Sequence, residues 1–182
     1  TKWDYISRKK DNFDITDKST YHLLTKIKFG VIQYCPYNII INTIACTDSY
    51  SSNKNLHYQT NYKGVSNLVE FCNKWNVKLI HISTEFVYAN NLPLPNEEDI
   101  PQPDSTWYAY TKLLADEHIK MFCEDYLICR ELHKPNPFPY PKIWDVKTSG
   151  DTVDKISVLI VKLIKENAMG VFNVGTGSKN LG

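Results

Sequence analysis

The stretches YNIIINTIA (Tyr37–Ala45) and VKLIHIS (Val77–Ser83) decide the fold that the sequence predicts. Each has a continuous β-branched or aliphatic centre, which is typical of a strand buried on both faces of a parallel sheet. Between them, Leu56–Trp75 repeats apolar residues near helical spacing, which predicts a helix. A strand, a helix and a strand in this order form a βαβ unit with parallel strands and a right-handed crossover.

The alternation of strands and helices extends in both directions along the chain. It predicts strands at Trp3–Ser7, Tyr126–Arg130 and Gly170–Gly175, and helices at Ser19–Tyr34, from Ser105 onward, and at Val153–Lys165. A polar, proline-bearing loop covers Ala89–Ser105, and the proline-rich segment Glu131–Lys147 breaks the pattern. The predicted fold class is therefore α/β, a Rossmann-like doubly wound parallel sheet with a small C-terminal lobe.

Composition excludes several classes of function. The 182 residues carry a net charge of +1, so no strong basic field favours nucleic acid or an anionic membrane. No apolar run reaches the roughly 20 residues of a membrane span. The five cysteines show neither a CxxC pair nor metal-ligand spacing, which favours free thiols over disulfides and predicts no metal site. With no visible signal peptide, we expect a cytoplasmic protein.

Three polar stretches fall where a doubly wound sheet collects its ligands, beyond the carboxyl ends of its strands. They are Asn42–Ala45 after the first buried strand, Ser83–Phe86 after the second, and the start of the helix that holds Tyr108. His81 lies inside the second strand, where a histidine is more often a core residue than a catalytic one.

Tyr108 and Lys112 are four residues apart and therefore share one helix face. One interpretation is packing, since this spacing arises by chance in many helices. The other is chemistry, because a nearby ammonium favours the phenolate and lowers the pKa of a tyrosine. Lowering that pKa by about three units takes roughly 4 kcal/mol, which only a dry cleft can supply. Tyr110, on another face of the helix, is assigned to packing.

The combination of a strand ending in Ser-Thr with a later YxxxK helix resembles the extended short-chain dehydrogenase/reductase superfamily. The stretch from Asn38 to Tyr88, ending in HISTEFVY, and the stretch LPLPNEEDIPQPDSTWYAYTK are most similar to the dTDP-4-dehydrorhamnose reductases. The resemblance covers about Asn38–His118 and is looser outside it. It implies an NAD(P)-binding Rossmann-like domain over residues 1–130, and over 131–182 part of a substrate-binding lobe mixed with returning sheet elements.

The resemblance also implies roles for individual residues. Tyr108 would protonate the C4 oxygen of a sugar, Lys112 would bind the nicotinamide ribose, and Thr84 would hold the ketone. Further cofactor contacts are implied for Thr43, Ile44 and Ala45 at the ribose, Asp14 and Ile15 at the adenine, and Asn61 as a support of the strand loops. Glu85 and Phe86, which stand where the reductases commonly have Asp-Tyr, would contact the substrate.

Arg8, followed by Lys9 and Lys10, has two interpretations. At the end of the first predicted strand it could meet a 2′-phosphate and favour NADPH over NADH, or it could belong to a solvated basic turn. The glycine-rich phosphate loop that the resemblance requires before Trp3 is absent from the sequence. Either the protein is longer or the function has been lost.

Three functions remain open from the sequence. The first is reduction, with NADP or NAD, of the C4 ketone of a dTDP- or UDP-linked 4-keto-6-deoxyhexose, as in rhamnose-type pathways. The second is a nucleotide-sugar epimerase of the same superfamily. The third is a non-catalytic NAD(P)-binding regulatory subunit. The expected partner is a nucleotide sugar, with a homodimer left open.

Overall fold

The computed structural model describes residues 3–88, 95–134 and 147–180. Its α-helices are α1 (Arg8–Asp11), α2 (Lys54–His57), α3 (Gly64–Trp75), α4 (Trp107–Phe122) and α5 (Val153–Lys165). A π-helical segment, Tyr58–Lys63, joins α2 to α3, and short 3-10 helices cover Lys18–Leu24 and Glu85–Tyr88. The strands are β1 (Lys26–Lys28), β2 (Ile32–Tyr34), β3 (Ile39–Asn42), β4 (Lys78–Ile82), β5 (Tyr126–Glu131), β6 (His133–Lys134), β7 (Lys147–Thr148), β8 (Asp151–Thr152), β9 (Gly170–Val174) and β10 (Lys179–Asn180).

The main sheet has the strand order β3-β4-β5-β9, and all of its pairings are parallel. Successive residues of a strand face opposite sides, so each strand serves two apolar layers. Leu79 and Ile128 pack in one layer with buried side chains of α3 and α4. Ile80 and Leu127 pack in the other layer against α5. Helices therefore cover both faces, which confirms the predicted Rossmann-like α/β fold.

The strands differ in how deeply they are buried. β4 and β5 lie between two neighbours, and their central residues are fully buried, as predicted. The prediction that the Ile39–Ile41 run is buried on both faces was wrong, since these side chains are half-buried. Among the described strands, β3 has only β4 beside it, and an edge strand loses part of its cover.

The helices of the βαβ units begin and end as the sequence indicates. The predicted Leu56–Trp75 helix is present, with the π-helical segment as an interruption, and it ends at Asn76 in the left-handed conformation that closes many helices. Thr106 caps α4 by accepting a hydrogen bond from the backbone N–H of Ala109 at 3.1 Å. α5 has the predicted bounds.

The N-terminal predictions were wrong. Residues 3–7 form no strand, and Arg8 begins the short helix α1 rather than ending a strand. The predicted helix over residues 19–34 is a 3-10 helix followed by the β1–β2 hairpin. Phe29 and Gly30 both have positive φ, 56° and 74°, and this pair makes the tight turn that a helix cannot contain.

The C-terminal part adds two small sheets, β6 with β8 and β7 with β10. It also returns β9 to the main sheet beside β5. A substrate-binding role for residues 131–182 stays a prediction, and residues 89–94 and 135–146 of the predicted loops lie outside the described residues. Within the described part of the chain, no helix combines the length and apolar character needed to cross a bilayer.

Candidate active site

The three polar stretches expected at the carboxyl edge of the sheet do meet there. β3 and β4 are parallel and adjacent, so the residues that follow Asn42 and Ile82 leave the sheet side by side. The 3-10 helix Glu85–Tyr88 packs against α4, which brings the start of α4 to the same edge. The site is therefore built from strand ends and one helix N-terminus.

Tyr108 lies in the first turn of α4 and faces this edge. Its ring meets the ring of Phe86 edge-on, with centroids 6.1 Å apart, and its phenol is within hydrogen-bonding reach of the Thr84 hydroxyl. Burial raises the pKa of Tyr108, while the Thr84 contact opposes that rise. The predicted lowering of this pKa by Lys112 was therefore wrong, and the phenol keeps its proton near neutral pH.

Lys112 lies one turn further along α4, where its side chain is only 2% exposed. Its ammonium donates to the carbonyl of Ile82 at 2.5 Å and lies 3.2 Å from Nε2 of His81. Burial lowers the pKa of Lys112 to about 8 although Asp116 and Glu131 oppose the change. The lysine is thus engaged by the end of β4.

His81 is a buried residue of β4, as predicted, and it joins two strands to α4. Its Nδ1 lies 3.1 Å from the side-chain amide of Asn42, and its Nε2 faces Lys112. Burial, with a further contribution from the Lys112 charge, lowers the pKa of His81 well below its ordinary value. The imidazole is therefore neutral and serves as a spacer between Asn42 and Lys112.

A buried ion pair that lies next to Lys112 on α4 was not predicted from the sequence. Asp116 is fully buried and accepts a hydrogen bond from Nε of Arg130 at 2.9 Å, and Arg130 also donates to the hydroxyl of Tyr88. Asp116 lies four residues after Lys112 on the same helix face. That spacing was the available signal, because it continues the row that begins with Tyr108.

The loop after β3 is held from two sides by asparagines. The Asn42 side chain accepts from the backbone N–H of Ile44 at 3.0 Å. Asn61 accepts from the N–H of Cys46 at 2.7 Å and donates to its carbonyl at 3.1 Å and to the Thr111 hydroxyl at 3.1 Å. Asn61 therefore supports this loop, which also contains Thr43 and Ala45.

The residues predicted to contact the adenine or a 2′-phosphate are Arg8, Asp14 and Ile15. Arg8 is exposed and pairs with the carboxylate of Asp14 at 3.2 Å. Asp14 also accepts hydrogen bonds from Thr16, which hold the pKa of its carboxyl below the ordinary value. The side chain of Ile15 is 3% exposed and packs against Gly64 in the core. Their roles at a cofactor stay predictions.

Glu85 connects the candidate site to the C-terminal segment. Its carboxylate accepts a hydrogen bond from the hydroxyl of Thr148 at 2.6 Å, and burial raises its pKa. Substrate contacts by Glu85 and Phe86 stay predictions, since Glu85 is engaged by β7 and Phe86 by Tyr108. Among the described residues no cluster of His, Cys, Asp or Glu is arranged to hold a metal ion.

A parallel sheet covered by helices on both faces, with a tyrosine, a lysine and a threonine at its carboxyl edge, defines a Rossmann-like α/β protein. Residues 1–132 match the family model described as the RmlD substrate binding domain. The chain therefore belongs to the RmlD substrate binding domain family. No curated protein matches this sequence.

Solved structures with this fold include two reductases and an epimerase. A dTDP-4-dehydrorhamnose reductase from Bacillus anthracis, in complex with NADP, has a TM-score of 0.77 and 24% identity, with 96% of this chain and 66% of that chain covered. The dTDP-4-dehydrorhamnose reductase from Clostridium acetobutylicum has a TM-score of 0.75 and 20% identity, with 93% of this chain and 64% of that chain covered. The ADP-L-glycero-D-manno-heptose-6-epimerase from Helicobacter pylori has a TM-score of 0.72 and 18% identity, with 93% of this chain and 60% of that chain covered. The chain thus spans less than two thirds of the length of each.

Proposed function

We propose that the protein reduces the C4 ketone of a nucleotide-activated 4-keto-6-deoxyhexose, dTDP- or UDP-linked, with NADPH or NADH. The observation that carries the proposal is the contact of the Tyr108 phenol with the Thr84 hydroxyl, one helical turn from the buried Lys112. Membership in the RmlD substrate binding domain family supports the nucleotide-sugar class of substrate. The dTDP-4-dehydrorhamnose reductases with the same fold support the reductase reaction.

Reduction of a ketone requires a proton donor for the oxygen that becomes a hydroxyl. Tyr108 can fill this role because its phenol carries a proton at neutral pH, where burial holds its pKa above the ordinary value. The Thr84 hydroxyl, which lies beside the phenol, would hold the ketone oxygen against it. Phe86 packs edge-on against the Tyr108 ring and limits the directions in which the phenol can turn.

The residues present fit the nicotinamide half of a dinucleotide. The Thr43–Ala45 backbone lies at the carboxyl edge of the sheet, where Rossmann-like folds bind nucleotides, and Lys112 supplies a cation at the end of the neighbouring strand β4. When bound, the reduced nicotinamide would supply the hydride. Lys112 would bind the ribose hydroxyls and Asn61 would keep the loop in place. Arg8 is the candidate contact for a 2′-phosphate, so we expect a modest preference for NADPH.

The proposal is tested by following NADPH fluorescence after addition of dTDP-4-keto-6-deoxyglucose. Stoichiometric oxidation is the expected result. Tyr108→Phe should lower turnover by about a thousandfold, since a general acid contributes roughly 10²–10⁴-fold. The affinity for NADPH should stay unchanged in a fluorescence titration. Tyr110→Phe is the matched control, because Tyr110 is half-exposed on another face of α4 and packs against Trp107. Unchanged turnover in Tyr108→Phe would exclude the proton-donor role.

An epimerase is the second candidate, since an epimerase shares the fold. It would use the same tyrosine and lysine but return its cofactor to the starting state, so sugar isomerisation without net NADPH oxidation would identify it. Binding of NADPH without turnover of either kind would instead identify the non-catalytic regulatory subunit.

A further inference from the structure

A cysteine, a histidine and an asparagine meet at the loop after β3, beside the candidate active site. Sγ of Cys46 lies 3.9 Å from Nε2 of His57, and Nδ1 of His57 lies 3.5 Å from the side-chain amide of Asn61. His57 is fully buried, whereas Cys46 is partly exposed. Asn61 also binds both backbone groups of Cys46, so it fixes the thiol and the imidazole relative to each other.

The two ring nitrogens of His57 face different groups, the side-chain amide of Asn61 and the thiol of Cys46. Because Oδ1 of Asn61 accepts from the N–H of Cys46, its NH₂ group is the side that faces Nδ1 of His57. That group has two protons, and both go to closer acceptors, the Cys46 carbonyl and the Thr111 hydroxyl at 3.1 Å each, so the 3.5 Å contact leaves the tautomer of His57 open. Nε2 of His57 lies beside the sulfur of Cys46 in either tautomer, where it can accept the thiol proton or donate its own. A histidine within reach of a cysteine is an arrangement that activates the sulfur as a nucleophile.

The other cysteines of the chain lack this arrangement. Cys72, Cys123 and Cys129 are buried, and burial raises the pKa of each thiol, to about 11 for Cys123 and about 12 for Cys129. Cys35 is partly exposed, like Cys46, but its thiol faces the carbonyl of Tyr37 at 3.8 Å and burial raises its pKa. Only the thiolate is a nucleophile toward disulfides, so these four thiols are expected to react slowly.

We propose that Cys46 is a thiol-modification site that takes low-molecular-weight disulfides of the glutathione class. The Cys46 thiolate attacks one sulfur of the disulfide, a new sulfur–sulfur bond forms, and the other half leaves as a thiolate that takes up a proton. His57 supports the attack through Nε2, which lies beside the sulfur and can accept the thiol proton or donate to the thiolate. Added thiol reverses the reaction.

The modification would act on nucleotide binding, and this consequence rests on the proposed function. Cys46 directly follows Thr43–Ala45, the loop expected at the nicotinamide ribose. A tripeptide on this sulfur would fill the space in front of the loop. Its attachment would also disturb the hydrogen bonds between Cys46 and Asn61 that hold the loop in place.

The experiment treats the protein with glutathione disulfide and follows the adducts by intact mass and peptide mapping. Cys46 should be modified about tenfold faster than Cys35, its partly exposed counterpart in the same molecule. His57→Gln should slow Cys46 by about tenfold while the rate at Cys35 stays unchanged. Cys46→Ser should abolish the fast phase, and thermal unfolding of both variants checks that they fold.

A second readout separates this inference from the proposed function. Modified wild-type protein should lose NADPH binding and regain it with dithiothreitol, and NADPH should protect Cys46. If the protein does not bind NADPH but Cys46 is modified rapidly and in a His57-dependent way, the thiol site is supported and the nucleotide-linked function is contradicted. Two results would contradict the thiol site regardless of NADPH binding. One is a modification rate at Cys46 no higher than at Cys35, and the other is an unchanged rate at Cys46 in folded His57→Gln protein.

Discussion

Two buried histidines flank the loop after β3, and each lies between an asparagine and a reactive side chain. His81 has Asn42 on one ring nitrogen and the amine of Lys112 on the other. His57 has Asn61 on one ring nitrogen and the thiol of Cys46 on the other. In both cases the asparagine also binds a backbone N–H of the loop.

The two histidines differ in what lies beyond their partners. Behind Lys112 the network continues into the core through Asp116, whose Oδ1 lies 4.0 Å from Nε2 of His81, and on to Arg130. Cys46, by contrast, is partly exposed. The comparison teaches that similar local geometry supports a dry charged network on one side and an accessible nucleophile on the other.

The largest expected effect comes from removing the buried carboxylate of the charged network around Lys112. Asp116→Ala should lower the free energy of unfolding by about 3–5 kcal/mol, because it leaves Arg130 buried without its carboxylate. Urea unfolding at pH 7 measures the change. Glu117→Ala, at the neighbouring half-exposed position, serves as the control and should change stability by no more than about 0.5 kcal/mol. Equal effects would show that burial of the ion pair contributes little.

Removing each asparagine ranks the two supports of the loop. Asn61→Ala should lower the free energy of unfolding by about 3 kcal/mol, since it leaves both backbone groups of Cys46 and the Thr111 hydroxyl without this partner. Asn42→Ala should cost less, about 1–2 kcal/mol, because it removes contacts to Ile44 and His81 only. Paired urea titrations decide the ranking, and the reverse order would contradict it.

Lys112 offers a test in which stability and activity move in opposite directions. Its folded-state pKa of about 8 lies below the ordinary 10.5, so the folded protein holds fewer protons between these values and stability rises with pH across that window. Below pH 8 the cost of the buried ammonium is present in full, about 3 kcal/mol. Lys112→Met should therefore raise the free energy of unfolding by about 1–3 kcal/mol at pH 7 while abolishing turnover.

The gain from Lys112→Met should shrink between pH 8 and pH 10, as wild-type Lys112 loses its proton. Unfolding curves at pH 7, 8, 9 and 10 measure this trend. A constant difference across the series would mean that the lysine is not titrating in the folded protein. Lys120→Met, at an exposed position near the end of α4, is the control for the removal of a lysine from this helix.

An exposed histidine gives the smallest effect and sharpens the contrast with the buried pair. His133 is half-exposed, and its hydrogen bond with Glu131 raises its pKa. A raised pKa stabilises the fold fully below the ordinary 6.5 and loses that contribution as pH rises through the folded value. His133→Ala should cost a few tenths of a kcal/mol at pH 6 and less at pH 8.

Sequence periodicity predicted the elements whose burial is regular along the chain. β4, α4 and α5 were found because their apolar residues follow the period of a strand or a helix. The contact between Tyr108 and Thr84 was also predicted, because both residues follow from the rule that ligands collect at the carboxyl edge of the sheet.

The failures have local or long-range physical causes. The residues from Lys26 to Tyr34 have Ile27 before and Val31-Ile32 after the turn at Phe29-Gly30, but they were included in a predicted helix. The pairing of Cys46 with His57 could not be predicted, because it depends on how α2 docks against the loop. The burial of Lys112 depends likewise on the register between α4 and β4, so its effect on Tyr108 was misjudged.

The π-helical segment Tyr58–Lys63 has a consequence for the phase of the helix that contains it. His57 and Val65 are both fully buried although they are eight residues apart, a spacing that would turn them about 80° from each other in an unbroken α-helix. The wide turn absorbs one residue and brings them to within about 20–30°. Deleting the exposed Gln59 would therefore keep both ends in phase, whereas deleting a residue inside α3 would rotate half of its apolar stripe into water.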